Sequence, residues 1–448
     1  MISPDQLAVL LPDYLPRQRW FAGGGEVPEA VDIEDFEVLQ HGTPALVWAL
    51  ARVEGDDAAY QVLVGLRPLE HTERFLEGKG RAMLGDVDSD EGPLLAYDAL
   101  VDPDLARLFL TVVAAGEHAE LVRPLVVEQS NTSVVYDDRL ILKLFRRVHD
   151  GPNPDRELSE ALESAGWTGV PTTHASWQRG DRDLAVVRDY IAGGTDGWQL
   201  ALTSLRDLYD RRLDPEKSGG DFAPEAYRLG LLTAEMHAAL ADALGAAPAD
   251  ATTWRAAMLD GLRRVKQSFR SPRRREDFDP DALAAAYERL AEVGRPGAAI
   301  RIHGDLHLGQ VLRSDAGWYV LDFEGEPRVP LADRRHPSSP LRDMAGMLRS
   351  FDYVAAVGLR ERGDEADIEL AQLGHAWEAR NRAAYVDGYE SVEAIQPLLP
   401  PEGDDRRTVL AAFELAKAVY EVGYEQAHRP DWTDIPLSAI GRLMQAAR

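Results

Sequence analysis

The 448-residue sequence contains no cysteine, which excludes disulfide bonds, thiolate zinc sites and a cysteine nucleophile. It also lacks any window approaching the roughly 18 uninterrupted apolar residues of a membrane-spanning helix. Positive charge is in deficit, because 76 acidic against 49 basic residues leave a formal net charge of −27. Such a surface repels nucleic acids and anionic membranes, so neither is expected as a partner.

Lysine is scarce, since only five of the 49 basic residues are lysines. A lysine inside an apolar strand is therefore notable.

At 45% hydrophobic and 28% charged residues, the chain is typical of a globular protein, and its length predicts two or three packed units. Residues Met1–Asp5 show no basic and apolar stretch of a secretory signal, so a cytoplasmic location is expected. We also expect a monomer.

Three regions differ in their patterning. Residues 1–110 are mixed, residues 111–195 are β-rich, and residues 196–448 show mainly helical periodicity. Within the last region, Ala299–Asp322 is expected to form a compact β insert. The acidic segment Gly85–Glu91 is expected to be a solvated loop. The pattern therefore predicts an α+β protein with a β-rich first half and a helical second half.

The strongest signal is a loop that follows an apolar strand. Asp305 stands directly after Gly304, Gln310 follows five residues later, and Asp322 ends the next hairpin arm. Phosphoryl transfer needs one carboxylate to accept the proton of a hydroxyl, together with oxygen ligands for Mg²⁺. Each residue alone is common in turns, but the three in this order favour the functional interpretation.

A zinc site formed by His303 and His307 is a weaker alternative. Their i, i+4 spacing lies on a loop, where no helix aligns the two imidazoles, and the sequence shows no third ligand.

The second signal is Lys143, which lies within the apolar strand Leu140–Phe145. A buried lysine needs a carboxylate or a phosphate as partner. Glu157 is the expected partner, with Glu160 as a competitor one turn further along the same helix, and Asp155 is expected as the N-cap. Without the downstream loop, an edge-strand lysine in water would be the simpler interpretation.

A small polar segment precedes the strand hairpin that carries the lysine. Small hydroxyl and amide side chains let backbone N–H groups approach phosphate oxygens. Glu128 and Gln129 open this segment, which is expected to be a loop, and its candidate phosphate-binding residues are Ser130, Asn131, Thr132 and Ser133. A polar hairpin turn would have the same composition.

Near the C-terminus, spacings of three and four place charged and aromatic residues on one helix face. Carboxylates can bind sugar hydroxyls, and aromatic rings can cover sugar C–H faces. An exposed helix with ion pairs such as Lys417–Glu421 is the alternative. By contrast, Ser339–Met347 is expected to pack beneath the catalytic loop. The candidate sugar-binding residues are Lys417, Tyr420, Glu421, Tyr424, Glu425, His428 and Trp432.

The pattern from His303 through Gln310, followed by Asp322–Glu324, resembles the aminoglycoside and choline phosphotransferases of the protein-kinase-like fold. Most of the chain resembles the actinobacterial maltokinase family. The segments that carry this closer resemblance include Arg17–Gly23, Glu128–Ser133, Leu140–Arg146, Ser204–Tyr209, Ser339–Tyr353 and Lys417–Trp432.

This resemblance implies a bilobal kinase fold with an N-terminal cap subdomain (1–110), a β-rich intermediate subdomain (111–195) and a helical C-lobe (196–448). It implies ATP and Mg²⁺ as cofactors. Adenine would lie near Arg188 and Tyr190, and phosphates would bind at Lys143, paired with Glu157, and at the polar segment. Gln310 and Asp322 would bind Mg²⁺, Asp305 would be the catalytic base, and His303 would contact substrate. One departure from protein kinases is the glutamine at 310, where they have asparagine.

The resemblance leaves two acceptors open. In a maltokinase, ATP and maltose give maltose 1-phosphate for glycogen synthesis, and Lys417, Tyr420 and His428 would bind sugar hydroxyls. In a glucosamine kinase, the product is the 6-phosphate, and Glu421, Glu425 or Asp431 would hold the ammonium group. The sequence favours maltose. A catalytically silent, kinase-like binding protein is disfavoured because the catalytic residues are all present.

Overall fold

The computed structural model describes residues 2–23, 25–69, 76–89, 92–125, 130–217, 220–269, 278–327, 329–363 and 367–446. The chain forms two compact units, and each is described by itself. The first contains residues 1–157 and 171–192, and the second contains residues 158–170 and 193–448. Division of the first unit into a cap and an intermediate subdomain stays a prediction.

The first unit begins with helix α1 (Pro4–Tyr14), which starts with a capping box. The Ser3 hydroxyl accepts a hydrogen bond from the Gln6 N–H, and the Gln6 side chain accepts one from the Ser3 N–H. Its apolar face packs with one side of an antiparallel sheet. That sheet has the order β1-β2-β3-β5-β4, with β9 paired to β3. Its strands are β1 (Val31–Gln40), β2 (Ala45–Val53), β3 (Ala59–Pro68), β4 (Met83–Ser89), β5 (Gly92–Asp98) and β9 (Arg147–Val148).

A second antiparallel sheet of the first unit has the order β10-β11-β8-β7-β6. Helix α2 (Pro103–Val113) buries its apolar face in the core of this sheet. Helix α3 (Pro154–Ser164) starts in the first unit and continues into the second. The strands are β6 (Val122–Pro124), β7 (Asn131–Tyr136), β8 (Leu140–Phe145), β10 (Thr173–Arg179) and β11 (Arg182–Asp189).

The second unit is mainly helical, and most of its buried apolar residues form one continuous core. Within the described residues, no helix combines the length and the apolarity needed to cross a bilayer. The helices are α4 (Gly197–Arg211), α5 (Ala223–Leu244), α6 (Ala251–Ser268), α7 (Pro280–Glu288), α8 (Leu331–Arg334), α9 (Leu341–Arg362), α10 (Ile368–Glu390), α11 (Asp404–His428) and α12 (Asp434–Ala446).

Short strands of the second unit hold the loop that carries Asp305. Strand β14 pairs with β13, whereas the hairpin of β15 and β16 pairs with β12. The expected single β insert over Ala299–Asp322 is therefore wrong, because its first strand and its hairpin belong to different sheets. The strands are β12 (Thr195–Asp196), β13 (Ala246–Pro248), β14 (Ala298–Ile300), β15 (Val311–Ser314) and β16 (Gly317–Val320).

The α+β fold class is confirmed, and three local expectations are corrected. Much of the acidic segment Gly85–Glu91 lies in β4, where Val87 is buried, so it is not a solvated loop. Asn131–Ser133 belong to β7 rather than to a loop. Asn153, not Asp155, caps α3, because its side-chain oxygen accepts the Asp155 N–H at 2.8 Å.

Candidate active site

The expected catalytic loop connects β14 to β15 in the second unit. Gly304 has φ +83°, a left-handed conformation that favours glycine. Asp305 follows it, and a short turn at Leu308–Gln310 leads into β15. The sequence therefore places Asp305 on a sharp turn just after a buried strand.

Asp343, at the start of α9, anchors this loop. Its carboxylate oxygens accept the backbone N–H groups of His303 and Gly304, both at 2.8 Å. Oδ2 also lies 3.0 Å from His237 Nε2 on α5, whose Nδ1 is 2.9 Å from the Tyr389 hydroxyl on α10. Burial alone would raise the pKa of Asp343, but His237, through its hydrogen bond and charge, together with His303 and the Gly304 N–H, outweighs burial and lowers the pKa. The expected packing of this helix beneath the loop is confirmed.

His303 is a structural part of the loop. Its Nε2 lies 2.9 Å from the carbonyl oxygen of Leu321, and its Nδ1 accepts the Asp305 N–H at 3.3 Å. The imidazole is buried and packs on the Phe323 ring at 4.8 Å. Because both ring nitrogens are engaged, the structure gives His303 a positioning role instead of the expected substrate contact. The same contacts exclude it as a zinc ligand.

The two expected metal ligands lie side by side. The Gln310 amide donates to Asp322 Oδ2 at 3.3 Å, and the Gln310 carbonyl accepts the Leu321 N–H at 2.9 Å. Asp322 has φ +64°, which is uncommon for a residue with a side chain and typical of functional sites. A carboxylate and a side-chain amide that adjoin in this way offer oxygen ligands of the kind that Mg²⁺ prefers.

Asp305 and Asp322 act on the same imidazole. Burial lowers the pKa of His307, while the carboxylates of Asp305 and Asp322 both raise it and the positive charges of Lys417 and His303 lower it further. A carboxylate has such an effect only at short range. The expected base and the expected metal ligand, 17 residues apart in the sequence, therefore both lie within electrostatic range of His307.

Lys417, on α11, also lies in this site. Its ammonium is 2.8 Å from Asp305 Oδ1 and 2.6 Å from Glu326 Oε1. We expected Lys417 to contact the sugar, whereas the structure pairs it with Asp305, the expected base.

The residues of α11 that we expected on one face occupy two faces. Tyr420 and Tyr424 are partly exposed and stack at 6.4 Å, and Tyr424 packs on the exposed His428 at 4.6 Å. Beyond the helix end, the Arg429 guanidinium lies 4.2 Å from the centre of the partly exposed Trp432 ring. This aromatic strip retains the surface character expected of a sugar site.

Glu421 and Glu425 point into the protein instead. Glu421 Oε2 accepts two hydrogen bonds from Arg349 on α9, at 3.0 and 2.7 Å. Glu425 accepts from the Tyr353 hydroxyl at 3.2 Å and from Arg429 at 2.7 Å. Because positions i and i+1 of a helix lie about 100° apart, spacing alone could not separate these buried acids from the neighbouring tyrosines.

In the first unit, Lys143 is largely buried and pairs with Asp155, whose Oδ2 is 3.2 Å from its ammonium. Glu157 was the expected partner. Arg188 donates to both oxygens of Asp155, at 3.1 and 3.2 Å, and to its carbonyl at 2.9 Å. Two strand cations thus share one fully buried carboxylate, and the guanidinium of Arg188 is part of this ion pair rather than of an open surface.

The polar segment lies beside Lys143, because Ser133 on β7 is the cross-strand neighbour of Lys143 on β8. Asn131 donates to the Ser130 hydroxyl at 3.2 Å, and Arg146 donates to the Thr132 hydroxyl at 2.8 Å. The structure therefore brings Ser133 to the lysine and gives Thr132 a structural contact. Glu128 and Gln129, which open this segment, lie outside the described residues.

Tyr190 follows β11, where the first unit ends. Its hydroxyl accepts from Arg123 at 3.3 Å, and the Arg123 guanidinium lies 5.7 Å from the ring centre. Its backbone N–H donates to the Arg139 carbonyl at 2.7 Å.

Comparison with known proteins places the chain among sugar kinases. Residues 14–102 match the maltokinase N-terminal cap domain family. A glucosamine kinase of Mycolicibacterium smegmatis is 30% identical over 343 residues, which cover 74% of this chain and 81% of that protein. A glucosamine kinase of Streptacidiphilus jiangxiensis is 32% identical over 343 residues, covering 72% of this chain and 73% of that protein.

Solved structures of a glucosamine kinase share the fold. One crystal form superposes with a TM-score of 0.74 at 24% identity and covers 99% of this chain and 100% of that chain. A complex with glucosamine, ADP and inorganic phosphate gives a TM-score of 0.68 at 24% identity, covering 93% and 94% of the two chains.

Proposed function

Because this chain belongs to the family of maltokinases and glucosamine kinases, sugar kinases with a protein-kinase-like fold, we propose that it transfers the γ-phosphoryl group of ATP to the 6-hydroxyl of glucosamine. The observation that carries the choice of acceptor is that two relatives, at 30% and 32% identity over about three quarters of the chain, are glucosamine kinases.

Asp305 acts as the base in this proposal. As the oxygen of the 6-hydroxyl forms its bond to the γ-phosphorus, the bond from that phosphorus to the bridging oxygen of ADP breaks, and its electron pair leaves with ADP. The hydroxyl proton passes to the Asp305 carboxylate. The transition state of phosphoryl transfer is loose, so the residue mainly orients the hydroxyl and accepts its proton late.

Gln310 and Asp322 would hold Mg²⁺ through the amide oxygen and the carboxylate. The metal, when bound, neutralises charge on the phosphate oxygens. In the first unit, Lys143 and the polar segment 130–133 would hold the nucleotide phosphates, with Arg188 and Tyr190 near the adenine. The ion pair of Lys143 with Asp155 supports this role, because a largely buried ammonium held in place by a carboxylate is a pre-oriented phosphate ligand.

The aromatic strip of α11 is the proposed sugar surface. Tyr420, Tyr424 and Trp432 offer rings to the apolar C–H faces of a pyranose. Asp431, exposed at the end of the strip, is the carboxylate that we assign to the ammonium group of glucosamine. Glu421 and Glu425, already paired with Arg349 and Arg429, hold the strip in place.

Maltose is the second candidate. The match of residues 14–102 to the maltokinase cap domain favours it. Lys417 was expected to bind hydroxyls of maltose. The structure weakens this argument, because the Lys417 ammonium pairs with Asp305 and Glu326.

A side-by-side assay with glucosamine, maltose and glucose tests the acceptor. ADP release is measured at saturating ATP and Mg²⁺, and ³¹P–¹H NMR locates the phosphate on the product. We expect turnover of glucosamine, with the phosphate on the oxygen of C6. Asp431→Asn should raise KM for glucosamine about tenfold, since it removes the charge opposite the ammonium group. Turnover of maltose alone, with phosphate on C1, would contradict the proposal in favour of the second candidate.

A further inference from the structure

The ammonium of Lys417 bridges two carboxylates inside the second unit. It lies 2.8 Å from Asp305 Oδ1 and 2.6 Å from Glu326 Oε1. The side chains of Lys417, Asp305 and Glu326 are only 16%, 19% and 8% exposed. Glu326 Oε2 also accepts from Arg342 at 3.2 Å. Glu326 therefore gives the Lys417 ammonium a second carboxylate partner besides Asp305.

The contact uses only one oxygen of Asp305. Lys417 occupies Oδ1, and the backbone N–H of Asp305 is bonded to His303 Nδ1, so both the side chain and the backbone of this residue are oriented. Oδ2 is then the oxygen that the acceptor hydroxyl can approach.

We propose that Lys417, held by Glu326, is a positioning residue for Asp305: it fixes Oδ1 and keeps the carboxylate anionic, so that Oδ2 accepts the proton of the acceptor hydroxyl. This inference rests on the proposed phosphoryl transfer to a sugar. Lys417 also connects the proposed sugar surface on α11 to the base, because its ammonium lies 5.0 Å from the centre of the Tyr420 ring, one turn along the helix.

The charges around Asp305 support this role. Burial alone would raise the pKa of Asp305, but Lys417, His307 and His303 outweigh it and hold the pKa well below its usual range. Of these, only Lys417 comes from outside the catalytic loop. The two carboxylates in turn outweigh burial and raise the pKa of Lys417, so its charge persists across the working pH range.

Lys417→Met tests the role, because methionine keeps most of the apolar stem and removes the charge. With the ammonium gone, burial of Asp305 is no longer offset by its strongest cation, so the pKa of Asp305 rises. When the pH is lowered, the variant therefore loses the anionic form of Asp305, and with it its activity, at a higher pH than the wild type does. We expect the acidic limb of the kcat–pH profile, at saturating ATP and sugar, to move upward by about one unit or more, and kcat within that limb to fall about tenfold.

Lys417→Arg should restore the acidic limb to within about half a unit, because it returns the positive charge. The matched control is Lys266→Met, the same change at an exposed lysine of α6. It should leave the profile unchanged. A uniform fall of kcat in Lys417→Met with the limb in its original place would show a merely structural contact and overturn the proposal. So would an unchanged profile.

A second measurement needs no acceptor sugar. Competitive acetylation read by mass spectrometry gives the reactivity of each of the five lysines. We expect Lys417 to react at least tenfold more slowly than Lys266, and Asp305→Asn to accelerate Lys417 without affecting Lys266. Equal reactivity of Lys417 in both proteins would refute the link to Asp305. If the wild-type protein phosphorylates neither glucosamine nor maltose, the proposed function fails, and this measurement still decides the link.

Discussion

Replacement of Asp305 by asparagine is expected to reduce kcat by about a thousandfold or more while changing the affinity for ATP by less than about threefold. The carboxamide has nearly the same shape and still accepts a hydrogen bond, but it cannot take up the proton of the acceptor hydroxyl. Asp305 is not among the residues assigned to the nucleotide or to Mg²⁺, so nucleotide binding should persist. Steady-state kinetics and calorimetric titration with ATP and Mg²⁺ measure the two quantities.

The matched control is Asp315→Asn, the same change at an exposed aspartate in the β15–β16 turn. It should leave both quantities unchanged. A variant Asp305→Asn that keeps a kcat within tenfold of the wild type would remove Asp305 from the role of base. Loss of ATP binding with normal turnover would contradict the division between base and nucleotide ligands.

Asp343→Ala is expected to lower the free energy of unfolding by about 3–5 kcal/mol and to abolish turnover. The carboxylate is 1% exposed and accepts from two backbone N–H groups of the catalytic loop and from His237. Alanine leaves two buried donors and one partly buried donor without an acceptor, and each buried unsatisfied group costs about 1–3 kcal/mol. Urea unfolding followed by circular dichroism measures the change.

Asp387→Ala is the control, because it removes an exposed aspartate from the neighbouring helix α10. It should change stability by less than about 0.5 kcal/mol. Asp343→Asn separates stability from activity, since the amide retains one acceptor oxygen for a loop N–H. We expect Asp343→Asn to fold with reduced turnover. Wild-type stability of Asp343→Ala would show that this anchor does not hold the loop.

Much of the fold follows from local pattern. The strand that carries Lys143 runs over its expected residues Leu140–Phe145, and residues 196–448 are mainly helical, as their apolar periodicity predicts. The failures come from pairing. The acidic composition of Gly85–Ser89 predicted a loop, whereas these residues form part of strand β4 through hydrogen bonds to β5. Likewise, β14 does not belong to the expected insert Ala299–Asp322, because it pairs with β13, about 50 residues earlier in the sequence.

The candidate site divides in the same way. Asp305, Gln310 and Asp322 could be identified from spacing, since one loop and one hairpin bring them together. The packing of Ser339–Met347 beneath the loop was expected, but the roles of Asp343 and His237 as loop anchors were missed, because they lie about 40 and 70 residues from the loop on separate helices. The contact of Lys417 with Asp305 spans 112 residues. Only the tertiary packing of α11 brings the Lys417 ammonium to Asp305.

The most direct measurement is a crystal structure of the protein with Mg²⁺, a non-hydrolysable ATP analogue and glucosamine. We predict the 6-hydroxyl oxygen within about 3 Å of Asp305 Oδ2, Mg²⁺ bound by Gln310 and Asp322, and Lys417 still on Oδ1. A sugar hydroxyl or a metal ion bound away from these residues would contradict the account.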